Sequence, residues 1–305
     1  MAKRRRKRND NQFVRFILVV ITLLGGLYLS EIDGTFGSNN TIDIFKEVDS
    51  NLVVTYLDVG QADSILIENN GDYMLIDSGN NEDGELLVQY FNQKGIQEFK
   101  YVVGTHPHED HIGGLDDIIN NFNIGNIYLP DAITTTKTFV DVLDAIESKN
   151  MTYTVPKIGE EFLLGDATIK VLYTGTDTSD LNNTSIVLRL VFGSTSFLFT
   201  GDATSKTEKI LLNNNLNVLA DVLKVGHHGS RYSTTEEFLS KVNPKYAIIS
   251  VGDNNIYHHP EEDTLDKLKK YDVEVHRTDL EGTIVVTSDG EKIDITHENT
   301  NVNGG

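Results

Sequence analysis

Residues 105–114, which read THPHEDHIGG, constrain this 305-residue chain more than any other stretch. Three histidines and an aspartate fall within six residues there: His106, His108, Asp110 and His111. An apolar run at 101–103 precedes them and a helical pattern follows, so the segment is predicted to be a loop at a strand end. Imidazole nitrogens and a carboxylate oxygen suit zinc, manganese or iron. The spacing therefore predicts a metal-binding loop rather than a solvated polar turn.

The absence of cysteine narrows the chemistry of that loop. Without Cys the chain has neither disulfide bonds nor thiolate ligands, so a metal must be held by histidines and carboxylates. The length of 305 residues allows one large α/β domain with appendages.

The N-terminal part is predicted to be a membrane anchor. Residues 3–8 read KRRRKR, and residues 13–30 are apolar except for Arg15. This stretch is about long enough to cross a bilayer, and the positive-inside rule places residues 1–12 in the cytoplasm and the rest outside. Residues 31–50 are predicted to be a linker. A cleaved signal peptide is the competing interpretation, and a nucleic-acid role for the basic run is a third.

Charge separates the N-terminus from the remainder. The formal net charge is −20, and seven of the 26 Lys and Arg but only one of the 46 acidic residues lie at positions 1–15. The remaining residues therefore hold 19 basic and 45 acidic side chains, a net charge of −26. Such a domain repels a polyanion at long range, which argues against a free-standing nonspecific DNA binder.

Hydrophobic periodicity predicts an α/β domain over residues 51–296 and a disordered tail over 297–305 that includes His297. Strands are predicted at 52–58, 64–68, 73–76, 101–103, 126–129, 162–164, 167–172, 186–191, 197–200, 221–225, 246–251, 282–287 and 292–296. Helices are predicted at 86–94, 115–121, 137–149, 203–212 and 264–270.

The HxHxDH pattern resembles the signature of the metallo-beta-lactamase superfamily. Six further segments follow in the order seen in the metallo-hydrolase domain of ComEC-type competence proteins, and the likeness runs from about residue 52 to about residue 296. These segments are LDVGQADSILIE at 57–68, LIDSG at 75–79, NNTSIVLRL at 182–190, FTGDA at 199–203, KVGHHGS at 224–230 and HHP at 258–260. The resemblance implies an αββα sandwich, in which two mixed β-sheets are flanked by helices.

The resemblance also implies two divalent cations, Zn²⁺ or Mn²⁺. The first would be held by His106, His108 and Asp202, and the second by Asp110, His111, Asp202 and one of His227 or His228. Asp202 would bridge the two ions, although alone it is equally well interpreted as a helix N-cap. Because strand residues alternate sides, only one of the adjacent histidines is expected to face the metal, and His227 is preferred. The first site is short of ligands, which a water, the Asn183 amide or weak occupancy would explain.

Further residues are expected around the cations. His259 matches the histidine before the family's proline, so it is expected to orient substrate or protonate a leaving oxygen. Asp110 is also treated as catalytic, and Asn183 and Ser230 are expected to contact substrate. Tyr257 and His258 are expected on an exposed loop. Four residues are expected to support the site, with ordinary turn formation as the alternative: Asp58, Gln61, Asp63 and Asp77.

The implied activity is hydrolysis by a metal-bound hydroxide in a domain outside the cell membrane. A phosphodiesterase or DNase is favoured, with single-stranded DNA as the suggested substrate. A small phosphodiester of the cell wall is the alternative substrate, while a β-lactamase or lactonase is less favoured because of the HHGS and HHP segments. A non-catalytic, membrane-tethered partner in a DNA-uptake or envelope complex is the competing function.

Overall fold

The computed structural model describes residues 51–298. The predicted basic segment, membrane anchor and linker lie outside the described residues, as do positions 299–305. Among residues 51–298 there is no helix with the length and apolar character needed to span a bilayer.

The first sheet is mixed and joins strands from both ends of the described chain. Its strands are β1 (Leu52–Tyr56), β2 (Ser64–Asn69), β3 (Asp72–Ser78), β4 (Glu98–Val103), β5 (Asn123–Tyr128), β6 (Tyr153–Thr154), β14 (Thr283–Ser288) and β15 (Ile293–Glu298). They lie in the order β15-β14-β1-β2-β3-β4-β5-β6. Pairing is antiparallel from β15 to β3 and parallel from β3 to β6.

The second sheet is also mixed and is built from the later part of the chain. Its strands are β7 (Glu161–Leu164), β8 (Ala167–Tyr173), β9 (Val187–Phe192), β10 (Thr195–Phe199), β11 (Val222–Lys224), β12 (Tyr246–Ile249) and β13 (Glu274–Arg277). They lie in the order β13-β12-β11-β10-β9-β8-β7, parallel from β10 to β13 and antiparallel from β7 to β10.

Helices cover the outer face of each sheet. The helices are α1 (Gly84–Gln93), α2 (Glu109–Ile112), α3 (Leu115–Asn121), α4 (Lys137–Ser148), α5 (Ser205–Asn213), α6 (Glu236–Val242), α7 (Glu262–Lys270) and α8 (Thr278–Glu281), and short 3-10 helices occur at Asn81–Asp83, Leu181–Thr184 and Gly226–Gly229. Apolar side chains of α1 to α4 pack on the first sheet, and those of α5 to α7 pack on the second.

Alternation along the strands produces three apolar layers. In β3, Met74 and Ile76 face the core between the sheets, whereas Leu75 packs under the first helical layer. In β11, Val222 faces the same central core and Leu223 packs under the second helical layer. Strands buried on both faces read as apolar runs for this reason. The arrangement confirms the predicted αββα sandwich.

Three differences from the predicted elements matter later. The strands β6 and β13 and the helices α2, α6 and α8 were not predicted from the sequence. The helix predicted at 203–212 begins at Ser205, and its N-cap is Thr204, whose side chain accepts from the Lys206 N–H, so Asp202 lies before the helix. β15 continues to Glu298, so His297 lies on a strand and not in the predicted tail.

Candidate metal centre

The loop after β4 is held from below by Asp77. The Asp77 carboxylate accepts hydrogen bonds from the Thr105 N–H at 2.7 Å and the Thr105 hydroxyl at 2.8 Å, and it lies 2.8 Å from His111 Nδ1. Asp77 itself adopts a left-handed backbone with φ of 59°, which is costly for a side chain larger than glycine. Its position orients the histidine loop, as the resemblance implied, in addition to closing a turn.

Asp202 lies between two groups of imidazoles. Its Oδ1 is 3.3 Å from His111 Nε2 and 3.7 Å from His228 Nε2. Its Oδ2 is 3.9 Å from His106 Nε2 and 3.7 Å from His227 Nε2. Each oxygen therefore faces a different pair of histidines, and the carboxylate is not used to cap a helix.

One compact group has the geometry of a metal site. Ligand atoms of Asp110, His111, Asp202 and His228 all lie within 4.8 Å of one another. The Asp110 Oδ2 is 3.3 Å from His228 Nε2 and 3.8 Å from His111 Nε2. His227 was preferred from the sequence as the histidine of this group, whereas the structure places His228 there.

The backbone explains why both adjacent histidines point inward. His227 and His228 have φ values of 52° each, so both are left-handed and neither continues the alternation of β11. His228 Nδ1 lies 2.9 Å from the Ser250 carbonyl oxygen, which can only accept. Nδ1 is therefore the protonated nitrogen, and Nε2 is free to act as a ligand.

The remaining loop histidines lie close to each other. His106 Nε2 is 3.0 Å from His108 Nδ1, and the His106 ring is completely buried. His106 and His227 therefore lie on the Oδ2 side of Asp202, with His108 next to His106, while His111 and His228 lie on its Oδ1 side.

A buried ion pair lies beneath the compact group. Asp63 Oδ2 is 2.7 Å from the ammonium of Lys224, and these side chains are 1% and 0% exposed. The same carboxylate lies 3.5 Å from His228 Nδ1 and 3.8 Å from His111 Nδ1. Asp63, Asp77 and His111 also approach within 4.8 Å, but Lys224 pairs with Asp63 Oδ2 and Thr105 donates to both oxygens of Asp77, which leaves Asp63 Oδ1 without a hydrogen-bond partner among the described residues. Lys224 was not predicted, although a lysine inside the apolar run VLKV is a usable signal.

A cavity of about 480 Å³ opens over the cluster. Its wall contains predicted site residues together with others that were not predicted: Gln61, Asn80, His108, Glu109, Asp110, Asp202, His227, His228, Tyr257 and His259. Asn80, Glu109 and Tyr257 were not predicted as site residues. Tyr257 is 61% exposed, as expected for its loop, yet it forms part of the wall.

His259 lies at the rim of the cavity. Its ring is 5.6 Å from that of His227 and stacks 5.8 Å from that of Tyr257. The Asn255 side chain fixes its backbone, accepting from the His259 N–H at 2.9 Å and donating to its carbonyl oxygen at 2.6 Å. Burial, together with His227 and His228, lowers the pKa of His259 to about 4, so the ring is neutral near pH 7.

Two predicted substrate contacts do not reach the cavity. The Asn183 amide oxygen accepts from the hydroxyls of Thr204 at 2.6 Å and Thr207 at 3.2 Å, so it is neither a ligand nor a wall residue. Ser230 is 2% exposed, and its hydroxyl accepts from the Tyr232 N–H. Both residues stabilise loops behind the cluster, which corrects their predicted roles.

The other supporting residues differ in their distance from the cluster. Gln61 lines the cavity, and its side-chain oxygen accepts from the Gly252 N–H at 3.2 Å. The Asp58 carboxylate instead accepts from the Gly60 N–H at 3.3 Å and forms an ordinary turn. Asp58 therefore shapes the loop that carries Gln61 and has no contact with the cluster.

Comparison with known families decides the assignment. The model of the metallo-beta-lactamase superfamily matches residues 57–253, a range that includes every residue of the compact group. The chain belongs to the metallo-beta-lactamase superfamily. Members of this superfamily are in general metallo-hydrolases.

Within the metallo-beta-lactamase superfamily, the chain is similar to competence proteins. It is 33% identical over 250 residues to the ComE operon protein 3 of Bacillus subtilis, covering 76% of this chain and 32% of that protein. It is 29% identical to the competence protein ComA of Neisseria gonorrhoeae, covering 76% of this chain and 31% of that protein. The chain thus spans about a third of the length of these curated relatives.

A solved structure shows the same metallo-beta-lactamase fold. The YhfI protein of Bacillus subtilis superposes with a TM-score of 0.52 and 16% sequence identity, covering 78% of this chain and all of that chain. At this identity the likeness establishes the fold alone.

Buried polar atoms without hydrogen-bond partners show whether the residues of the centre are suited to bind cations. His111 Nε2, His228 Nε2 and Asp202 Oδ1 are buried and have no hydrogen-bond partner among the described residues. A buried polar atom without a partner costs free energy comparable to a lost hydrogen bond. These three atoms converge on one point with imidazole and carboxylate chemistry, so the donor set fits a divalent cation.

The electrostatics of the cluster point the same way. Burial lowers the pKa of His106 well below its usual value. Burial also lowers the pKa of His111, but the carboxylates of Asp202, Asp77 and Asp110 outweigh it and raise that pKa well above its usual value. Burial raises the pKa of Asp202, but His111 and His228 outweigh it and hold that pKa far below its usual value. Protons on imidazoles thus balance the carboxylates, and cations can replace them.

Proposed function

We propose that this chain is a membrane-anchored, extracytoplasmic phosphodiesterase that depends on divalent cations. The observation that carries the proposal is the position of Asp202, whose two carboxylate oxygens face two different pairs of histidines. A carboxylate placed in this way can bridge two cations about 3.5–4 Å apart, the spacing used for displacement at phosphorus.

Two ligand sets are proposed. Asp110, His111, Asp202 and His228 would hold one cation, Zn²⁺ or Mn²⁺. His106, His108 and Asp202 would hold the other, with His227 as the ligand that the sequence left missing. Asp77 and the Ser250 carbonyl fix the tautomers of His111 and His228 from outside the cluster.

Bound divalent cations lower the pKa of water and neutralise charge on the attacked group. The protein residues then orient substrate around them. His259, neutral near pH 7, hydrogen-bonds a phosphoryl oxygen or the leaving oxygen at the rim. Gln61 and Asn80 contribute amide groups to the opposite part of the wall.

The names of the relatives support a nucleic-acid substrate. ComA is called a competence protein, and competence is the capacity to take up DNA. We therefore favour single-stranded DNA over a small phosphodiester of the cell wall. The net charge of −26 beyond residue 15 disfavours long-range attraction of a polyanion, so recognition is expected to be local.

The proposed location rests on the sequence of residues outside the described range. The basic run at 3–8 and the apolar stretch at 13–30 support a single membrane-spanning anchor with a cytoplasmic N-terminus. This orientation places the hydrolase domain on the outer side, where it could take part in a competence or envelope complex.

A turnover assay tests the proposal. The full chain, loaded with Zn²⁺ or Mn²⁺, is assayed on bis-p-nitrophenyl phosphate, single-stranded DNA and a β-lactam. We expect phosphodiester turnover that falls about a thousandfold in Asp202→Ala and His111→Ala, because several kcal/mol of charge stabilisation are lost. Folded, metal-loaded protein without turnover on any phosphodiester would overturn the proposal in favour of a non-catalytic binding partner.

A further inference from the structure

Among the described residues, the wall of the cavity has no lysine or arginine side chain. None of the ten residues that line it is Lys or Arg, and the wall includes the carboxylates of Glu109, Asp110 and Asp202. Proteins that bind nucleic acids through the backbone usually do so with several Lys and Arg contacts to phosphates. Affinity for any part of a substrate beyond the reacting phosphate must therefore come from contacts that are not ionic.

An aromatic ring provides such a contact. Tyr257 lines the cavity and is nevertheless 61% exposed. Its ring stacks on that of His259 with centroids 5.8 Å apart and an interplanar angle of 24°. Exposure alone does not assign a role to an aromatic side chain, but the position of Tyr257 in the cavity wall makes its ring accessible to a substrate. The ring surface not covered by His259 is open to solvent beside the cluster.

The loop that carries Tyr257 is fixed in place. Asn255 donates to the carbonyl oxygens of Gly252 at 2.9 Å and of His259 at 2.6 Å, which closes the loop on itself. Gly229 lies against Pro260 so closely that a Cβ on the glycine would be 2.5 Å from the proline Cβ. Because these contacts hold the backbone on both sides of Tyr257, the loop loses little conformational entropy when a ligand stacks on the ring.

Three rings lead from the cluster to the rim. His227 has its Nε2 3.7 Å from Asp202, the His259 ring lies 5.6 Å from the His227 ring, and Tyr257 stacks on His259. A phosphodiester that reacts at Asp202 thus has its neighbouring group beside the outermost ring. A planar base there can stack on the open face of Tyr257. A sugar or a choline group can also lie against an aromatic ring, so a comparison with a base-free substrate is needed to assign the contact to a base.

We infer that Tyr257 is a stacking residue for an unpaired nucleobase next to the reacting phosphate, so that the site selects single-stranded nucleotide substrates by ring contact rather than by ionic contact. This inference rests on the proposed phosphodiesterase function for the position of the phosphate. It concerns a residue that touches the base and not the reacting atoms.

The test separates base recognition from hydrolysis. The metal-loaded full chain is given tetrathymidylate and a tetramer of the same sugar-phosphate length with abasic sites, and kcat/KM is measured for both. Dissociation constants are measured with phosphorothioate-linked forms of the same two tetramers, which are hydrolysed slowly. Wild type, Tyr257→Ala, Tyr257→Phe and Ile256→Ala are compared; Ile256 is the neighbouring apolar residue, 83% exposed and outside the wall.

We expect wild type to prefer the base-containing tetramer by at least about tenfold, the size of one stacking contact. Tyr257→Ala should lose about tenfold of that preference, while Tyr257→Phe and Ile256→Ala should retain it. In a plot of the logarithm of the dissociation constant against the logarithm of the salt concentration, the slope should be no steeper than that expected for about one phosphate contact.

Each other outcome has a distinct meaning. The stacking inference is overturned if wild type and Tyr257→Ala have the same preference for the base-containing tetramer, or if the salt slope corresponds to about three phosphate contacts. In either case, turnover of either tetramer leaves the proposed phosphodiesterase function intact. Base-dependent binding that needs Tyr257 but has no accompanying turnover supports the stacking residue and overturns the phosphodiesterase.

Discussion

Two groups of histidines and carboxylates lie in this domain and differ in how their polar atoms are paired. The central cluster is Asp110, His111, Asp202 and His228, and the edge cluster is His276, Glu281, His297 and Glu274. In the edge cluster the Glu281 carboxylate lies 2.9 Å from His276 Nδ1 and 3.3 Å from His297 Nδ1, and Glu274 lies 3.4 Å from His276 Nε2. In the central cluster, three buried atoms converge without hydrogen-bond partners among the described residues, whereas in the edge cluster His276 Nε2 alone is buried without one.

The difference shows that residue type alone does not define a metal site. Both clusters contain two imidazoles and two carboxylates, yet among residues 51–298 only the central one brings all its ligand atoms within 4.8 Å. The edge cluster joins β13 at the edge of one sheet to β15 at the edge of the other, and its charges pair with each other. We interpret it as a structural contact that ties the two sheet edges together.

The largest effect is expected from the buried lysine beneath the central cluster. Lys224→Met leaves the Asp63 carboxylate buried without its cation, which costs about 4 kcal/mol of unfolding free energy. The measurement is urea unfolding of metal-free protein, so that metal binding does not contribute. Lys170→Met is the control, because its pair with Glu161 is about half exposed and should change stability by less than about 1 kcal/mol. Equal stability of both variants would show that the central cluster needs no internal cation.

The second effect concerns orientation of the ligands. Asp77→Asn keeps the size of the side chain but weakens its contact with His111 Nδ1, so metal affinity should fall about 10- to 100-fold. Competition with a chromophoric chelator measures the affinity. Asp58→Asn is the matched control, because that carboxylate contacts only the turn at Gly60, and its metal affinity should be unchanged. The same loss in both variants would assign the effect to general loop disorder.

The comparison also shows what the sequence could predict. Apolar runs such as those around Met74 and Val222 predicted strands and the αββα sandwich, because strands buried on both faces lack polar positions. The two-residue strand β6 and the edge strand β13 were missed, since the former is too short for a period and the latter, Glu274–Arg277, is polar. The pairing of β1 with β14 was not predictable, because it joins residues distant in sequence such as Leu52 and Ser288.

The site was predictable where one segment carries it. The spacing of His106, His108, Asp110 and His111 predicted a metal loop without reference to any fold. The choice between His227 and His228 failed because strand alternation was applied to residues that are left-handed in the structure. The prediction that Asn183 contacts substrate failed because its amide oxygen accepts hydrogen bonds from the hydroxyls of Thr204 and Thr207. The spacing of residues in the sequence does not reveal such contacts.

A third, smaller effect is expected at the rim. His259→Gln should lower kcat/KM for a phosphodiester about tenfold, the value of one hydrogen bond to a charged group. Because burial and the neighbouring histidines lower the pKa of His259 to about 4, the ring is neutral throughout pH 6–8. The loss should therefore be the same at pH 6 and pH 8, as measured by pH-rate profiles. If the imidazolium form were required, wild-type activity would instead fall as pH rises in this range, and the variant would lack that slope.

The smallest effect is expected at the edge cluster. It tests the other half of the comparison, namely that this cluster contributes to stability and binds no metal. Glu281→Gln replaces the carboxylate that faces both histidines, and the lost charge-assisted contacts should cost about 1 kcal/mol of unfolding free energy. Metal content and affinity, measured by mass spectrometry and chelator competition, should equal those of wild type. Asp110→Asn is the matched change in the central cluster. There metal should be lost, and metal-free stability should also fall, because burial and the nearby Asp202 raise the pKa of Asp110 but His111 and His228 outweigh them and hold that pKa below its usual value. A loss of metal in Glu281→Gln would mean that the edge cluster binds a cation after a rearrangement of its side chains, and convergence of ligand atoms would then no longer separate the two clusters.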